Sequence, residues 1–264
     1  MVQSRHKRHH TPPYSQPFLK SKQPNEVWCA DFKGQFRLGD SKLCYPLTLS
    51  DSYSRFLLGC WGLAHPAYFP TRYYLERAFR EYGLPSAIRT DNGAPFASVG
   101  LGGLSRLGVW FVKLGISPER IEKGHPEQNG RHERMHRTLK AEAVRPPRKN
   151  MKEQQRVFDR FRITYNLERP HEALGQKTPA SIYQKSAREY PARMTEIVYP
   201  QNFSVRVIKH SGCFKWQNHE LYLSGTLAGE QIGLKQIDNS IWEIYFNFYP
   251  LGILDERTQS VKSC

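Results

Sequence analysis

The sequence predicts an α/β protein: a mixed five-stranded sheet flanked by helices, followed by a small all-β barrel. Three observations carry this. Apolar runs at 27–36, 43–49 and 56–63 are separated only by short polar turns, as consecutive antiparallel strands are. From Pro70 onward, segments with helical periodicity alternate with short strand-like ones. After about Pro200 the chain becomes rich in β-branched and aromatic residues with closely spaced turn signals.

Residues 1–25 are polar, basic and Pro-rich, and read as a linker or arm. No apolar stretch follows "MVQSRHKRHH", so a secretory signal is not expected. The core is expected over 26–185. "LGDSK" and "SDSYSR" are the turns between its first three strands. Tyr73, Tyr74, Ala78, Phe79 and Tyr82 then fall at helical spacing and stop at Gly83. "PSAIRTDNG" is a short strand running into a polar turn. Helical periodicity returns over 101–114, and 115–123 is a brief strand or loop. Two more helices span about 128–144 and 151–167, with "RPPR" breaking the chain between them. Residues 186–200 are a linker. Five or six short strands over 201–257, with turns at Ser211-Gly212, Gln217-Asn218 and Asp238-Asn239, form the barrel.

The 264 residues carry 39 Lys+Arg against 24 Asp+Glu, a formal net charge of +15. That excess asks for a polyanionic partner. No apolar run approaches the roughly 20 residues of a spanning helix, so nucleic acid is expected and a membrane is not. The five cysteines are scattered, without C-x-x-C spacing, which argues against a zinc ribbon or a disulfide framework. Reduced thiols in a cytoplasmic protein fit best. His6, His9 and His10 belong to a solvated basic arm and not to a metal tract, because no cysteine lies nearby.

Three acids stand out. Asp31 interrupts the apolar run "VWCADFKGQF", where an ionised carboxylate is costly unless something compensates it. A bound cation would do so; alternatively Asp31 faces solvent, alternating with Trp28 and Ala30. Asp91 lies in "RTDNGAPF", and Asp-Asn-Gly is turn chemistry in its own right. Glu133 sits in the basic helical stretch "GHPEQNGRHERMHRTLKAE". Either it pairs with Arg137 at i,i+4, worth about 0.2–0.5 kcal/mol, or it ligates a metal among bases that hold a polyanion.

The ordered set "PNEVWCADFKGQF", "LSDSYSRF", "IRTDNGAPF", "PEQNGRHERMHRTLKAE" and "YNLERPHEALGQKTPASIY" closely resembles the integrase-core transposases of bacterial insertion sequences, relatives of retroviral integrases. The resemblance runs from about Pro24 to Tyr183 and implies an RNase-H-like catalytic domain. In that family an Asp on the first strand, an Asp after the fourth and a Glu on the following helix hold divalent metal. Asp31, Asp91 and Glu133 occupy the matching positions as catalytic and metal-binding residues. Thirty-five residues separate Asp91 from Glu127 and 41 separate it from Glu133; the family's usual interval is the shorter. Glu127 is set aside because it follows Pro126 and precedes the Asn-Gly turn, and because "NGRHE" aligns with the family segment ending in the catalytic Glu. The surplus residues are placed in "SVGLGGLSRLG" as a lengthened surface loop.

The resemblance implies two Mg²⁺ or Mn²⁺ ions per active site, which suit oxygen ligands and phosphoryl transfer. The implied function is a DNA transposase that cuts element ends and joins their 3′-hydroxyls to target DNA. Double-stranded DNA and further copies of the chain would be its partners, in the cytoplasm with the nucleoid. Glu133, Arg137 and Lys140 lie at i, i+4 and i+7, on one helix face, so Arg137 and Lys140 can hold phosphates beside the metal. Asn129, Arg131 and His125 are further DNA-binding candidates near the active-site loop. Lys209 and Lys215, with Trp216 and Lys235, give the barrel basic and aromatic groups for DNA-backbone contact, although Trp216 equally suits the barrel core. Asp51, Ser54 and Arg55 are expected to serve turn structure, and His171 to be a satisfied structural histidine. "RPHEAL" and "TPASIY" are expected to tie the last core helices together. Family members usually carry helix-turn-helix domains ahead of the core, whereas about 25 residues precede it here. Either the chain is truncated, or end recognition falls to the arm and barrel. Two rival classes are a non-catalytic DNA-binding or host-adopted remnant, against which the intact acid set argues, and a plain RNase-H-like nuclease.

Overall fold

The run 27–36 folds as one strand in two pieces. β1 (Val27–Phe32) and β2 (Phe36–Arg37) both pair antiparallel with β3 (Leu43–Asp51). The register slips by one residue between Phe32↔Leu47 and Phe36↔Cys44, and Gly34 sits at the slip with φ 69°. Glycine takes this left-handed backbone without a Cβ clash, and the bulge ends the first piece just beyond Asp31. The computed structural model of the protein describes residues 19, 21–98, 100–121 and 130–262, with 130 and 131 described by backbone alone. Most of the expected basic arm therefore lies outside the described residues.

β4 (Leu57–Leu63) pairs with β3, and α1 (Tyr68–Tyr82) crosses over to β5 (Ala87–Thr90), parallel to β1. α2 (Arg106–Lys113) leads to β6 (Ser117–Arg120), parallel to β5. The strand order is β4-β3-β1-β5-β6, with β2 as a sixth short strand on β3. α1 begins two residues before Pro70, which sits within the first turn, where its missing N–H costs nothing. α2 is shorter than the 101–114 periodicity suggests. Gly102 and Gly103 have φ of 67° and 64°, outside the helical region, and Ser105 caps the helix by accepting from the Gly108 N–H at 3.2 Å. α3 (Gly130–Leu139) passes directly into a wide π turn (Lys140–Val144), and α4 (Met151–Leu167) starts on the Asn150 cap.

The pleat gives the sheet two different faces. Trp28, Ala30, Leu47, Leu49 and Ile88 pack with α1 and α2 around Phe79 and Phe111. The opposite face packs on α3 and α4 through Cys44, Leu57, Cys60, Met135, Leu139 and Phe158. α4 also covers β4: Asn166 bonds both the Leu57 N–H and C=O, at 2.8 and 3.0 Å, and Gln155 bonds the Gly62 N–H and Cys60 C=O, both at 2.9 Å. Side-chain amides thus satisfy an edge that would otherwise invite another strand. The segment after "TPASIY" does more than join helices. Tyr183 stacks on Phe56 and donates to Asn25, and Arg188 binds the carbonyls of Pro85, Leu114 and Gly115, so it closes the end of the sheet.

The C-terminal part holds six strands within 201–257, matching the five or six expected, and a seventh just beyond at 260–262. β7 (Phe203–Val207), β10 (Gln231–Asp238), β11 (Ile241–Phe246), β12 (Tyr249–Asp255) and β13 (Ser260–Lys262) form one antiparallel sheet in the order β13-β12-β11-β10-β7. The hairpin of β8 (Cys213–Trp216) and β9 (His219–Tyr222) lies against β7 and β13, so both edges meet around one core. That core includes Phe214, Trp216, Ile232, Leu234, Ile244, Phe246 and Leu254.

Leu104, Val109 and Val112 belong to the same cluster. Polar contacts surround them: Lys113 with Glu230 at 2.8 Å, Thr226 Oγ1 to the Leu104 carbonyl at 2.9 Å, and Tyr249 OH to the Gly102 carbonyl at 3.3 Å. The surplus residues of "SVGLGGLSRLG" are therefore not a free surface loop. They are the seat on which the β unit docks, and their leucines and glycines serve close packing against Leu251 and Gly252. Leu104→Ala should cost about 2–5 kcal/mol by leaving a cavity in that shared core, whereas Leu167→Ala, at an exposed site, should stay within about 0.5 kcal/mol. Urea denaturation of both variants checks this; equal losses would contradict the docking role.

Candidate active site at the ends of the central strands

Parallel pairing of β1 and β5 runs Val27↔Ala87 to Ala30↔Thr90, so Asp31 and Asp91 follow side by side at the carboxyl ends of neighbouring strands. Ends of parallel strands where the sheet order switches are where α/β folds collect ligands. Asp31 is 16% exposed and sits opposite Thr48 on the face covered by α3. Burial first, then the charge of Asp91 and to a lesser degree that of Glu133, push its carboxyl up to about 7. Asp91 is also raised by burial, against which the Gly93 N–H stabilises its charge. The Asp-Asn-Gly segment is a turn that Asn92 fastens: its Nδ2 donates to the Ile121 carbonyl at 2.6 Å, at the end of β6.

Glu133 is exposed in the first turns of α3, near enough for its charge to act on Asp31. Arg137 and Lys140 are exposed on the same helix and its π-turn extension. Among the described residues no ion pair joins Glu133 to Arg137, so the simple i,i+4 bridge is not what keeps an acid here. The side chain of Arg131, and Asn129, His125 and the rejected Glu127, lie outside the described residues.

Sequence reasoning missed the groups behind Asp31. His132 and His136 are 2% and 4% exposed and stack edge-to-face with centroids 4.5 Å apart. Both Nε2 atoms approach Thr48 Oγ1, at 2.8 and 2.7 Å, and His132 Nδ1 lies 2.9 Å from Ser50 Oγ. His136 Nδ1 lies 3.7 Å from Asp31 Oδ2. Burial drives both imidazoles down, to about 3 for His132 and about 2 for His136, where the neighbouring ring adds to the effect. Imidazoles so shifted favour the neutral form near pH 7, and one ligand-type atom from each of Asp31, His132 and His136 lies within 4.8 Å of the others. The i,i+4 spacing of two histidines around Glu133 was the available signal.

Other residues fall in varied places. Asp51 is buried and accepts from the N–H and hydroxyl of Ser54 and from the Asn25 N–H, a turn role. On the far flank of α3, a cavity of about 250 Å³ is lined by Arg55, Arg134, Arg169, Tyr165 and His171. Arg169 Nε and His171 Nε2 are buried there without a hydrogen-bond partner, so His171 is not the satisfied histidine expected. Its pKa is lowered by burial and by Arg169 and Arg55. In the β unit, Lys209 pairs with Glu220, Lys215 and Lys235 are exposed, and Trp216 is a core residue whose Nε1 donates to Glu256 at 2.9 Å. Among the described residues no helix is long and apolar enough to cross a membrane.

Two family models, both described as integrase core domain, match residues 21–126 and 114–179. The chain is 29% identical over 184 residues to an uncharacterised 31.7 kDa protein of insertion element IS407 from Burkholderia multivorans, covering 66% of this chain and 62% of that protein. It is 30% identical over 171 residues to an uncharacterised 39.2 kDa protein of insertion element IS476 from Xanthomonas euvesicatoria, covering 63% of this chain and 46% of that one. The chain thus spans about half to three-fifths of the length of these relatives. Among solved structures, a chain of the simian T-cell lymphotropic virus intasome in complex with a PP2A regulatory subunit is similar over 92% of this chain and 83% of its own, with a TM-score of 0.52 and 19% identity. That similarity places the mixed sheet and helices in the RNase-H-like fold.

The acid and the histidines set opposite pH slopes on stability. Asp31 is raised on folding, so its contribution is present below its unfolded value, about 3.9, and is lost as pH rises through about 7. The histidines are lowered, so the folded state loses ground as pH falls below their unfolded value, about 6.5. Without divalent metal, Asp31→Asn should therefore be more stable than wild type at pH 8, with the gap closing toward pH 4. Thermal melts in EDTA across that range measure it; a variant less stable at pH 8 would refute the strained carboxylate.

Proposed function

Because the chain belongs to the integrase-core family, we propose that it is a DNA transposase whose Asp31, Asp91 and Glu133 hold two Mg²⁺ or Mn²⁺ ions for cutting element ends and joining their 3′-hydroxyls to target DNA. The observation that carries this reading is the pairing of Asp31 and Asp91 at adjacent strand ends, where burial and mutual charge oppose ionisation of Asp31. A cation relieves that strain, and the all-oxygen donor set of three carboxylates suits Mg²⁺ or Mn²⁺. When bound, the ions would supply activation of an attacking water or 3′-hydroxyl and stabilisation of the leaving oxygen.

The chain's own residues supply the frame. Asp31 lies on β1 and Glu133 on α3 in the covering layer, while Asp91 directly follows β5 in a turn tied down by Asn92. Arg137 and Lys140 extend that helix line and would hold phosphates flanking the cut. Water would first hydrolyse the phosphodiester at the element end, freeing a 3′-hydroxyl and leaving a 5′-phosphate on the flanking strand. That 3′-hydroxyl would then attack a target phosphodiester and expel the target strand's own 3′-hydroxyl. No covalent protein–DNA link forms. Double-stranded DNA and further copies of the chain are the proposed partners, with Lys209, Lys215, Asn129, Arg131 and His125 as further DNA contacts. The pairing of Lys209 with Glu220 favours Lys215 over Lys209 among these.

Asp31→Asn, Asp91→Asn and Glu133→Gln should each abolish cutting and joining of oligonucleotides carrying the element's terminal repeats, while DNA binding persists. Ca²⁺ should support binding without turnover, because it takes more ligands at longer distances. Full activity of Glu133→Gln alongside an inactive Glu127→Gln would move the third acid, and full activity in EDTA would sink the metal site altogether.

DNA affinity should fall log-linearly with salt, by about 0.9 log unit per log unit of salt for each phosphate contact. Arg137→Ala and Lys140→Ala should each reduce that slope by about one and slow cutting more than they weaken binding. An unchanged slope and rate in both variants would assign these bases to a plain solvated face.

A further inference from the structure

The lone pairs behind Asp31 can be assigned by counting protons. Thr48 Oγ1 has three polar neighbours: the Asp31 carbonyl at 3.1 Å, His132 Nε2 at 2.8 Å and His136 Nε2 at 2.7 Å. A hydroxyl donates once and accepts twice, and a carbonyl only accepts. All three contacts are hydrogen bonds in one arrangement alone. Thr48 donates to the Asp31 carbonyl, and both imidazoles donate their Nε2 protons to Thr48. Ser50 Oγ then donates to His132 Nδ1 at 2.9 Å. His132 is thereby saturated.

In the neutral His136 ring, Nδ1 then carries a lone pair, and it faces Asp31 Oδ2 at 3.7 Å. The gap exceeds the roughly 2.7–3.2 Å of an N–H···O bond. It is close to the spacing of two donors on one cation: with about 2.0–2.2 Å from metal to each donor, neighbouring donors stand roughly 3–3.6 Å apart. The far nitrogen of His136 is anchored on Thr48, as the second nitrogen of a metal-bound histidine normally is anchored. Glu133 and His136 are three residues apart on α3, the spacing by which one helix offers a carboxylate and an imidazole to a shared metal centre.

We propose that His136 Nδ1 is a metal ligand beside Asp31, giving an otherwise carboxylate site one nitrogen donor. This rests on the reading of Asp31, Asp91 and Glu133 as a metal site. The nitrogen gives the site a preference for first-row transition ions over Mg²⁺ that an all-oxygen site lacks. His132 acts as a positioning residue that holds Thr48, and through it the His136 ring.

Pulsed electron paramagnetic resonance of Mn²⁺ bound to the full chain tests the ligand directly. Histidine-nitrogen coupling should appear in the wild type, change on ¹⁵N-histidine labelling, and vanish in His136→Gln and Asp31→Asn. Calorimetry should show Co²⁺ binding weakened about tenfold or more in His136→Gln, with Mg²⁺ binding changed less than about threefold. Absence of nitrogen coupling in the wild type overturns the proposal without recourse to any variant, as does coupling that persists in His136→Gln. If coupling is absent but Asp31→Asn still releases Mn²⁺, the nitrogen ligand fails and the carboxylate site stands. If Asp31→Asn leaves Mn²⁺ binding untouched, the carboxylate reading fails with it.

Discussion

Two carboxylates on adjacent parallel strands, released at the same level by the β1–β5 register, set the terms for this molecule. Like charges so placed, in a partly buried cleft, oppose each other's ionisation. The neighbouring structure keeps them together: the Gly34 bulge closes the strand just past Asp31, and the Asn92 tie pins the turn that bears Asp91. On the proposed reading, a cation bound between the two acids would relieve that repulsion.

The covering helix answers the same constraint from the other side. The β3 face towards α3 is polar at Thr48 and Ser50, and α3 meets it with two neutral histidines, while the rest of that helix packs through Met135 and Leu139. A buried polar network of this kind is tolerated only when its members are bonded. It fixes the rotation of α3 about its axis, and so which side Glu133, Arg137 and Lys140 present. The β unit depends on the core in turn, because its hydrophobic cluster includes three residues of the α2 region. Arg55, Arg134 and Arg169 gather on the far flank of the same helix, so positive charge borders it on two sides.

Much of this was legible in the sequence, for physical reasons that differ by element. Strands at 27–36, 43–49 and 56–63 showed as apolar runs between turns, and α4 as a helical stretch after the "RPPR" break. Asp31 showed because an acid inside an apolar strand needs an explanation. Asp91 did not show by chemistry alone, since its tripeptide reads as a turn; only the ordered motif set singled it out. His132 and His136 were hidden in a helix rich in bases, because their partners, Thr48 and Ser50, lie over 80 residues away on a strand that reads as apolar. The same non-locality hid the role of "SVGLGGLSRLG": a Leu- and Gly-rich insertion looks like a loop until the unit that packs on it is folded. Register, which sets Asp31 beside Asp91, has no signature in composition or periodicity.

Anomalous diffraction from crystals of the full chain soaked in Mn²⁺ tests the central claim most directly. The account expects a peak bridging the carboxylates of Asp31 and Asp91, with oxygen ligands at about 2.0–2.3 Å. Saturating Mn²⁺ with no peak at that pair would contradict it.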